Sequence, residues 1–305
     1  MRVIDHLLSP IAGLMEPPRG LELDYATPAG EPALFLPQSI SWQIFKNPVT
    51  LFVGGVTAVI LELAEPSVRT GVWDHSTFRS DAVMRLRRTG AAAMMTVYGP
   101  RRAAEAMIAR VVKAHDRVQG TTPDGVAYRA NDPCLLDWVQ ATATFGFVEA
   151  YSRFARTLSE DEKSRAFAEA QPAARLYGAM NTPRSTADWR RMLSDFASQL
   201  EPSPTIFEFL DIMRSAPIAR GAGPLQRMLV GAAIELVPSD VRSMLNLEDQ
   251  RIGTAKLALV TAMARVADRL PLSAAAPARA SVRLGKPPAF LYQSQIYAGK
   301  QAPGP

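Results

Sequence analysis

Three histidines, His6, His75 and His115, are the side chains of this sequence best suited to exchange a proton near neutral pH. His115 ends a stretch in which apolar residues recur every three or four positions, the spacing of a buried helix face. These residues are Ala104, Met107, Ile108, Val111 and Val112. The pattern predicts that His115 points inward, where a neutral imidazole can serve as the axial ligand of haem iron. The alternative is a buried histidine that donates a hydrogen bond to a carbonyl.

The helix expected before His115 carries a second group of candidate residues. Arg85, Arg88 and Thr89 are spaced i, i+3 and i+4 and therefore share one helix face. Guanidinium groups form bidentate hydrogen bonds with carboxylates. This face is suited to bind haem propionates or a substrate carboxylate. The alternative is a surface cluster paired with acids such as Asp81.

His75 lies in the run Asp74-His75-Ser76, just before the arginine-bearing helix. Consecutive residues cannot adopt the geometry of a catalytic triad, and no G-x-S-x-G motif is present, so the run does not predict a serine hydrolase. We consider His75 as a distal proton donor, with a turn or capping hydrogen bond as the alternative. The sequence has no Walker or G-x-G-x-x-G motif that would bind a nucleotide, and no second histidine spaced for non-haem iron.

Composition limits the remaining classes of protein. The single cysteine, Cys134, excludes an intrachain disulfide and a cysteine-rich metal site. The most apolar run, residues 48–61, has 14 residues, whereas a membrane-spanning helix needs about 20. The run predicts a buried helix, in which Gly54 and Gly55 would allow close approach of another helix or a flat ligand. We expect a cytoplasmic protein without a signal peptide or transmembrane segment.

Apolar residues recur with helical spacing along most of the chain, and no run alternates as a half-buried strand does. The pattern predicts an all-α protein with one large multi-helix domain over residues 1–270. Expected helices are residues 40–45, 50–64, 81–97, 100–118, 133–158, 160–170, 187–200, 204–215, 224–236, 239–245 and 249–270.

The last segment, residues 271–305, differs in composition from the rest of the chain. It is rich in Pro, Ala and Gly and carries four basic residues and no acid, while the whole chain has 34 basic and 29 acidic residues and a net charge of +5. We predict an extended basic arm that packs through residues 290–292 on its own subunit or on a neighbour, as in a homo-oligomer. A nucleic-acid partner is not expected, because no helix-turn-helix or aromatic-stacking motif accompanies the basic residues.

Several segments, in this order, resemble the helical oxygenase family of the mycophenolic-acid pathway enzyme MpaB and the bacterial rubber oxygenase, or latex-clearing protein. The specific motifs are H-x-x-V-x-G at residues 115–120 and Y-x-A-x-D-P at residues 128–133. Residues 51–54, 61–66, 71–78, 85–89 and 136–141 add weaker similarity. The resemblance covers residues 50–155 well and the remainder only by helical character.

The resemblance implies a globin-like helical core that binds haem b. It implies that His115 is the proximal iron ligand and that Arg85 and Thr89 belong to the haem pocket. Arg88 stands where the rubber oxygenase has a lysine that reaches the iron, and a guanidinium is a poor iron ligand. Glu65 and Gln140 stand where many relatives have histidine, which affects the groups around the cofactor but not the predicted ligand.

The leading hypothesis is therefore a haem b-dependent oxygenase that uses O₂ on an apolar alkene, isoprenoid or lipid-like substrate. In it, His115 holds the iron, Arg85, Arg88 and Thr89 shape the cofactor pocket, and His75 is the candidate proton donor. Two alternatives stay open. One is a non-catalytic haem carrier or sensor, and the other is a haem-free helical protein whose arginine face binds an anionic partner.

Overall fold

The computed structural model describes residues 24–216 and 223–293, and in them the chain is mostly helical. The first half contains α1 (Ile40–Ile44), α2 (Pro48–Ala64), α3 (Pro66–His75), α4 (Ala82–Tyr98), α5 (Arg101–His115), β1 (Gln119–Thr121), β2 (Ala127–Arg129) and α6 (Pro133–Phe154). The second half contains α7 (Glu160–Tyr177), α8 (Thr186–Phe196), α9 (Pro204–Ser215), α10 (Gly223–Leu236), α11 (Ser239–Met244), α12 (Thr254–Ala267) and α13 (Ala276–Arg283). The predicted all-α class is confirmed.

The apolar helix α2 lies at the centre of the main core. It packs along α6, and a Cβ atom added to Gly54 or Gly146 would overlap the backbone of the other helix. On another side it contacts α10, where the Thr57 hydroxyl donates to the carbonyl of Ala233 at 3.0 Å. The predicted close approach of a helix at Gly54 is therefore confirmed.

The buried position of α2 accounts for its composition. Fourteen of its seventeen residues are buried. Within the described residues, no single helix has the length and hydropathy to cross a membrane, although α2 and α3 together, bent by 110° at their junction, meet those two criteria.

Side-chain caps define the helix starts that the sequence indicated. Asp132 accepts a hydrogen bond from the backbone N–H of Cys134 at 2.8 Å and begins α6. Ser159 and Glu162 form the reciprocal capping box that begins α7. Helix α7 then continues through Pro172 to Tyr177, beyond the predicted end at residue 170. The prediction stopped too early because an internal proline usually ends a helix.

Residues 66–75 form α3, although none of the expected helices included them. Glu65 begins this helix, because its carboxylate accepts a hydrogen bond from the N–H of Val68 at 2.6 Å. The helix was missed because its polar residues give it no clear apolar stripe. Glu65 is only 5% exposed, so this cap lies within the protein and not at a solvated helix end.

The expectation of no strand was wrong for residues 119–129, which form an antiparallel hairpin. In it Gly120 is paired with Tyr128, and the predicted helix 100–118 ends instead at His115. The Tyr128 ring lies against both Gly120 and Gly71 of α3, where a Cβ would approach it closely. Three-residue strands are too short to show an alternating pattern in the sequence.

The predicted extended arm is also corrected, because residues 276–283 form helix α13. Its proline, Pro277, lies in the first turn, where a missing N–H is tolerated. Arg283 at its end is 2% exposed and donates to the carbonyls of Tyr25, Glu31 and Tyr98 at 2.6 to 2.8 Å. Leu291 is 2% exposed, so the expected packing of residues 290–292 on the same subunit is confirmed. A role in a homo-oligomer stays a prediction, and residues 294–305 lie outside the described residues.

We predict that Arg283→Met lowers the free energy of unfolding by about 3 kcal/mol, because three buried carbonyls lose a charged donor. Arg279→Met is the matched control, since Arg279 forms only a surface ion pair with Asp24. Urea denaturation monitored by circular dichroism measures both. Similar losses in the two variants would show that the buried guanidinium does not stabilise the C-terminal helix.

Candidate functional site

A cavity of about 110 Å³, part of it open to solvent, lies between α2 and α4. The walls include Phe52, Val56 and Val59 of α2 and Leu86, Thr89 and Ala93 of α4, with further apolar residues from α6 and α9. Thr89 is the one polar side chain that lines it among the described residues. The cavity therefore suits an apolar molecule that meets a single hydroxyl.

Charged residues lie one helical turn beyond this apolar region. Glu62 follows Val59 by one turn of α2, and Arg85 precedes Thr89 by one turn of α4. Nη1 of Arg85 donates to Oγ1 of Thr89 at 3.0 Å, and the same hydroxyl donates back to the Arg85 carbonyl at 3.0 Å. The predicted pairing of Arg85 and Thr89 on one face is therefore found in the structure.

Glu62 is the acid that interacts with Arg85. Burial raises the pKa of the Glu62 carboxyl to about 7, while Arg85 and the Thr142 side chain oppose this rise. Burial also lowers the pKa of Arg85, which Glu62 partly offsets. A carboxyl with a pKa near 7 is divided between its protonated and ionised forms at neutral pH, so it can both accept and release a proton.

The sequence interpretation missed Glu62, although a signal was present. It is the one charged residue in the seventeen residues of α2. It also follows Gly55 and Val59 at helical spacing, so it continues the face that lines the cavity. Asp81, which the alternative interpretation paired with the arginines, instead caps α4 by accepting from the N–H of Met84 at 3.1 Å.

His115 lies in the last turn of α5 and is half-buried. Of the apolar residues predicted to share its face, Ala104 and Ile108 are buried. Burial lowers the pKa of His115 and the charge of Arg85 lowers it further, while Asn131 and Asp116 act in the opposite direction. The imidazole is therefore neutral at physiological pH, as an iron ligand must be.

The Nδ1 atom of His115 is buried and has no hydrogen-bond partner. The predicted alternative, donation to a carbonyl, is therefore not found. Asn131, which the sequence interpretation also missed, lies beside this part of α5. Its amide nitrogen donates to the Val112 carbonyl at 3.0 Å and to the Asp116 carboxylate at 2.7 Å. Only the folded hairpin brings residue 131 to this position, so no local sequence signal exists for it.

Two other predicted residues are exposed. Arg88 is at the surface, close enough to Arg85 for its charge to lower the pKa of Arg85. His75 is exposed at the end of α3, with its ring edge-on to Tyr128 at 6.4 Å. Among residues 24–216 and 223–293, no hydrogen bond or ring contact joins His75 to Arg85 or His115. The structure thus groups Arg85, Thr89 and His115 with Glu62, and places His75 apart.

Comparison with known proteins identifies one family. Residues 42–269 match the model of the family described as ER-bound oxygenase mpaB/B'/Rubber oxygenase, catalytic domain. The match includes Glu62, Arg85, Thr89 and His115, and it covers well over half of the chain. No curated protein and no solved structure matches.

We predict that Glu62→Gln removes part of the pH dependence of stability. The ordinary pKa of this carboxyl is 4.5 and its folded value is about 7, so between these pH values the folded chain binds more protons than the unfolded chain. Stability therefore falls as the pH rises through this window, by up to about 3 kcal/mol in total. The Gln variant cannot ionise at this position and should not show this loss. Its free energy of unfolding, relative to that of the unmodified protein, should therefore rise by this amount between pH 4.5 and pH 8.

Urea denaturation at half-unit pH intervals measures this difference. Asp124→Asn, at the exposed tip of the hairpin, is the matched control and should run parallel to the unmodified protein. If the Glu62→Gln curve runs parallel as well, the carboxyl is not desolvated as described.

Proposed function

The chain belongs to the mpaB and rubber oxygenase catalytic-domain family, and from that premise we propose that it is a haem b-dependent oxygenase. The proposed reaction uses O₂ to oxidise an apolar alkene, isoprenoid or lipid-like substrate. The observation that carries the proposal is the neutral, half-buried imidazole of His115, placed within the electrostatic range of Arg85.

The residues around His115 are suited to haem b. An imidazole kept neutral by burial has the lone pair that an axial ligand needs, and its buried, unpaired Nδ1 leaves Nε2 as the ligating atom. Arg85 and Arg88 supply cations that can pair with the propionates. The Nε atom of Arg85 is buried without a hydrogen-bond partner, which leaves a donor free for such a group.

Bound haem would supply the activation of O₂, and the protein would supply the surroundings of the reaction. The apolar cavity would hold the substrate and exclude water from it. Thr89 lines that cavity and accepts a hydrogen bond from Arg85, which fixes its position. Its hydroxyl therefore lies at the boundary between the apolar cavity and the charged residues Arg85 and Glu62. Glu62, with its pKa of about 7, would hold or release a proton at the same end.

A haem carrier or sensor is the second candidate. It would use His115 and the arginines in the same way, but it would need neither the apolar cavity nor a carboxyl that titrates near neutral pH. Consumption of O₂ by the reduced protein in the presence of an apolar alkene would therefore separate the oxygenase from the carrier.

We predict that the protein binds one haem b and that His115→Ala abolishes or strongly weakens its Soret band, because the axial ligand is lost. His75→Ala is the matched control and should leave the ferric and ferrous spectra unchanged, since His75 is exposed and apart from the site. Absorption spectra after hemin addition measure both. An unmodified protein that shows no haem absorption, although folded by circular dichroism, would refute the proposal.

We predict that Arg85→Ala speeds haem loss roughly tenfold, because a buried charge-assisted hydrogen bond is worth about 1.5–3 kcal/mol. The control is Arg110→Ala, on the exposed side of α5. Transfer of haem to an excess of apomyoglobin measures the dissociation rate of each variant. Equal rates in the two variants would exclude Arg85 from the cofactor site.

A further inference from the structure

The loop between β2 and α6 passes beside the last turn of α5. A backbone hydrogen bond from Ala130 to the Val118 carbonyl at 2.9 Å holds it there, and one from Asp132 to the Arg129 carbonyl at 3.0 Å closes a turn within the loop. Asn131, between them, is therefore fixed by its neighbours on both sides.

The orientation of the Asn131 amide follows from its partners. Its nitrogen lies 3.0 Å from the Val112 carbonyl and 2.7 Å from the Asp116 carboxylate. Both partners can only accept hydrogen bonds, so the amide nitrogen, and not the oxygen, must face them. These two residues lie on either side of His115 in the last turn of α5. The remaining oxygen, Oδ1, is an acceptor without a donor.

Two buried polar atoms at this place lack hydrogen-bond partners: Oδ1 of Asn131 and Nδ1 of His115. One is an acceptor and the other can donate when its nitrogen carries the proton. A buried polar atom left without a partner destabilises a protein by about 1–3 kcal/mol, so pairing these two atoms would relieve both. Asn131 lies close enough to His115 to raise the pKa of its imidazole, against the effect of burial.

We propose that Asn131 is a positioning residue, whose Oδ1 accepts a hydrogen bond from Nδ1–H of His115 and thereby leaves Nε2 as the unprotonated, ligating nitrogen. The inference rests on the proposed function in assigning iron to His115. The hydrogen bond itself belongs to the protein with or without haem. Metal-ligating histidines commonly need such a partner, because it sets both the tautomer and the ring orientation.

The chemical type of this partner matters. Asp116 is the carboxylate next to His115 in sequence, and its Oδ1 is engaged by the Asn131 amide nitrogen. A neutral amide therefore stands where a carboxylate would otherwise approach the imidazole. A carboxylate acceptor would give the imidazole more negative charge and make it a stronger donor to iron than an amide does. An amide acceptor would leave less negative charge on the imidazole than a carboxylate does, which would favour the ferrous form that reacts with O₂.

The first test uses the haem-free protein, in which the tautomer of His115 is read from its ¹⁵N chemical shifts at a pH where the imidazole is neutral. The expected result is one tautomer, with the proton on Nδ1. Asn131→Ala should give a mixture of the two tautomers. A His115 spectrum that is unchanged in Asn131→Ala would overturn the inference.

A purely structural role, in which Asn131 only ties the loop to α5, is separated by a swap. The double variant Asn131→Asp with Asp116→Asn exchanges the amide and the carboxylate, so that an acceptor faces Nδ1 and the link to residue 116 is kept. Both the swap and Asn131→Ala lose the hydrogen bond to the Val112 carbonyl, so this loss is common to the two variants. If Asn131 acts as the acceptor, the swap restores the Nδ1–H tautomer that Asn131→Ala loses. If the swap behaves like Asn131→Ala, the positioning role is wrong.

The second test uses the haem-loaded protein. Asn131→Ala should weaken haem binding about 10- to 100-fold, the usual effect of removing such a partner. The swap should instead raise the iron–histidine stretching frequency in the resonance Raman spectrum and lower the reduction potential, because a carboxylate now faces the imidazole. No change in either quantity would overturn the inference.

The two tests fail independently. A protein that binds no haem but shows the Nδ1–H tautomer would refute the proposed function and leave the Asn131–His115 hydrogen bond standing. A protein that binds haem through His115, but whose His115 ¹⁵N spectrum is unchanged in Asn131→Ala, would refute the hydrogen bond and leave the proposed function standing.

Discussion

The close contact between Gly54 and Gly146 is the constraint on which the site depends. It lets α2 and α6 approach until their backbones touch, which surrounds α2 with protein on most sides. Helix α4 does not close the remaining side, and the cavity lies there. Because α2 is so deeply placed, Glu62 near its end is half-buried, and this burial raises the pKa of its carboxyl to about 7. A packing contact thus sets the protonation of a carboxyl two turns away.

Burial acts on all three ionisable groups of the site, and Arg85 links them. The loss of water disfavours the charged form of each group, while the guanidinium stabilises ionised Glu62 and disfavours protonated His115. The favoured state near neutral pH therefore combines one cation, a neutral imidazole and a carboxyl close to its midpoint. Such a combination suits a site that must hold a metal ligand and exchange a proton within a short distance.

Local signals in the sequence predicted the parts of the molecule that depend on local physics. The caps at Asp132 and Ser159 and the apolar stripe before His115 are properties of single helices, and they predicted α6, α7 and the inward face of α5. The hairpin and the partner of His115 depend on contacts between segments that are distant in sequence. Asn131 reaches His115 only after the chain has turned back on itself, so helix periodicity could not indicate it.

Glu65 stands where the resemblance to the family predicts a histidine, and the structure gives its carboxylate a structural role. Its buried carboxylate caps α3, the helix that supports the Tyr128 ring and, through the hairpin, the loop of Asn131. A carboxylate suits this position, because a helix N-terminus carries a partial positive charge and two or three free N–H groups. The substitution therefore belongs to the support of the hairpin and not to proton transfer. Glu65 thus acts on the elements behind the loop beside His115, while Arg85, Thr89 and His115 belong to the site itself.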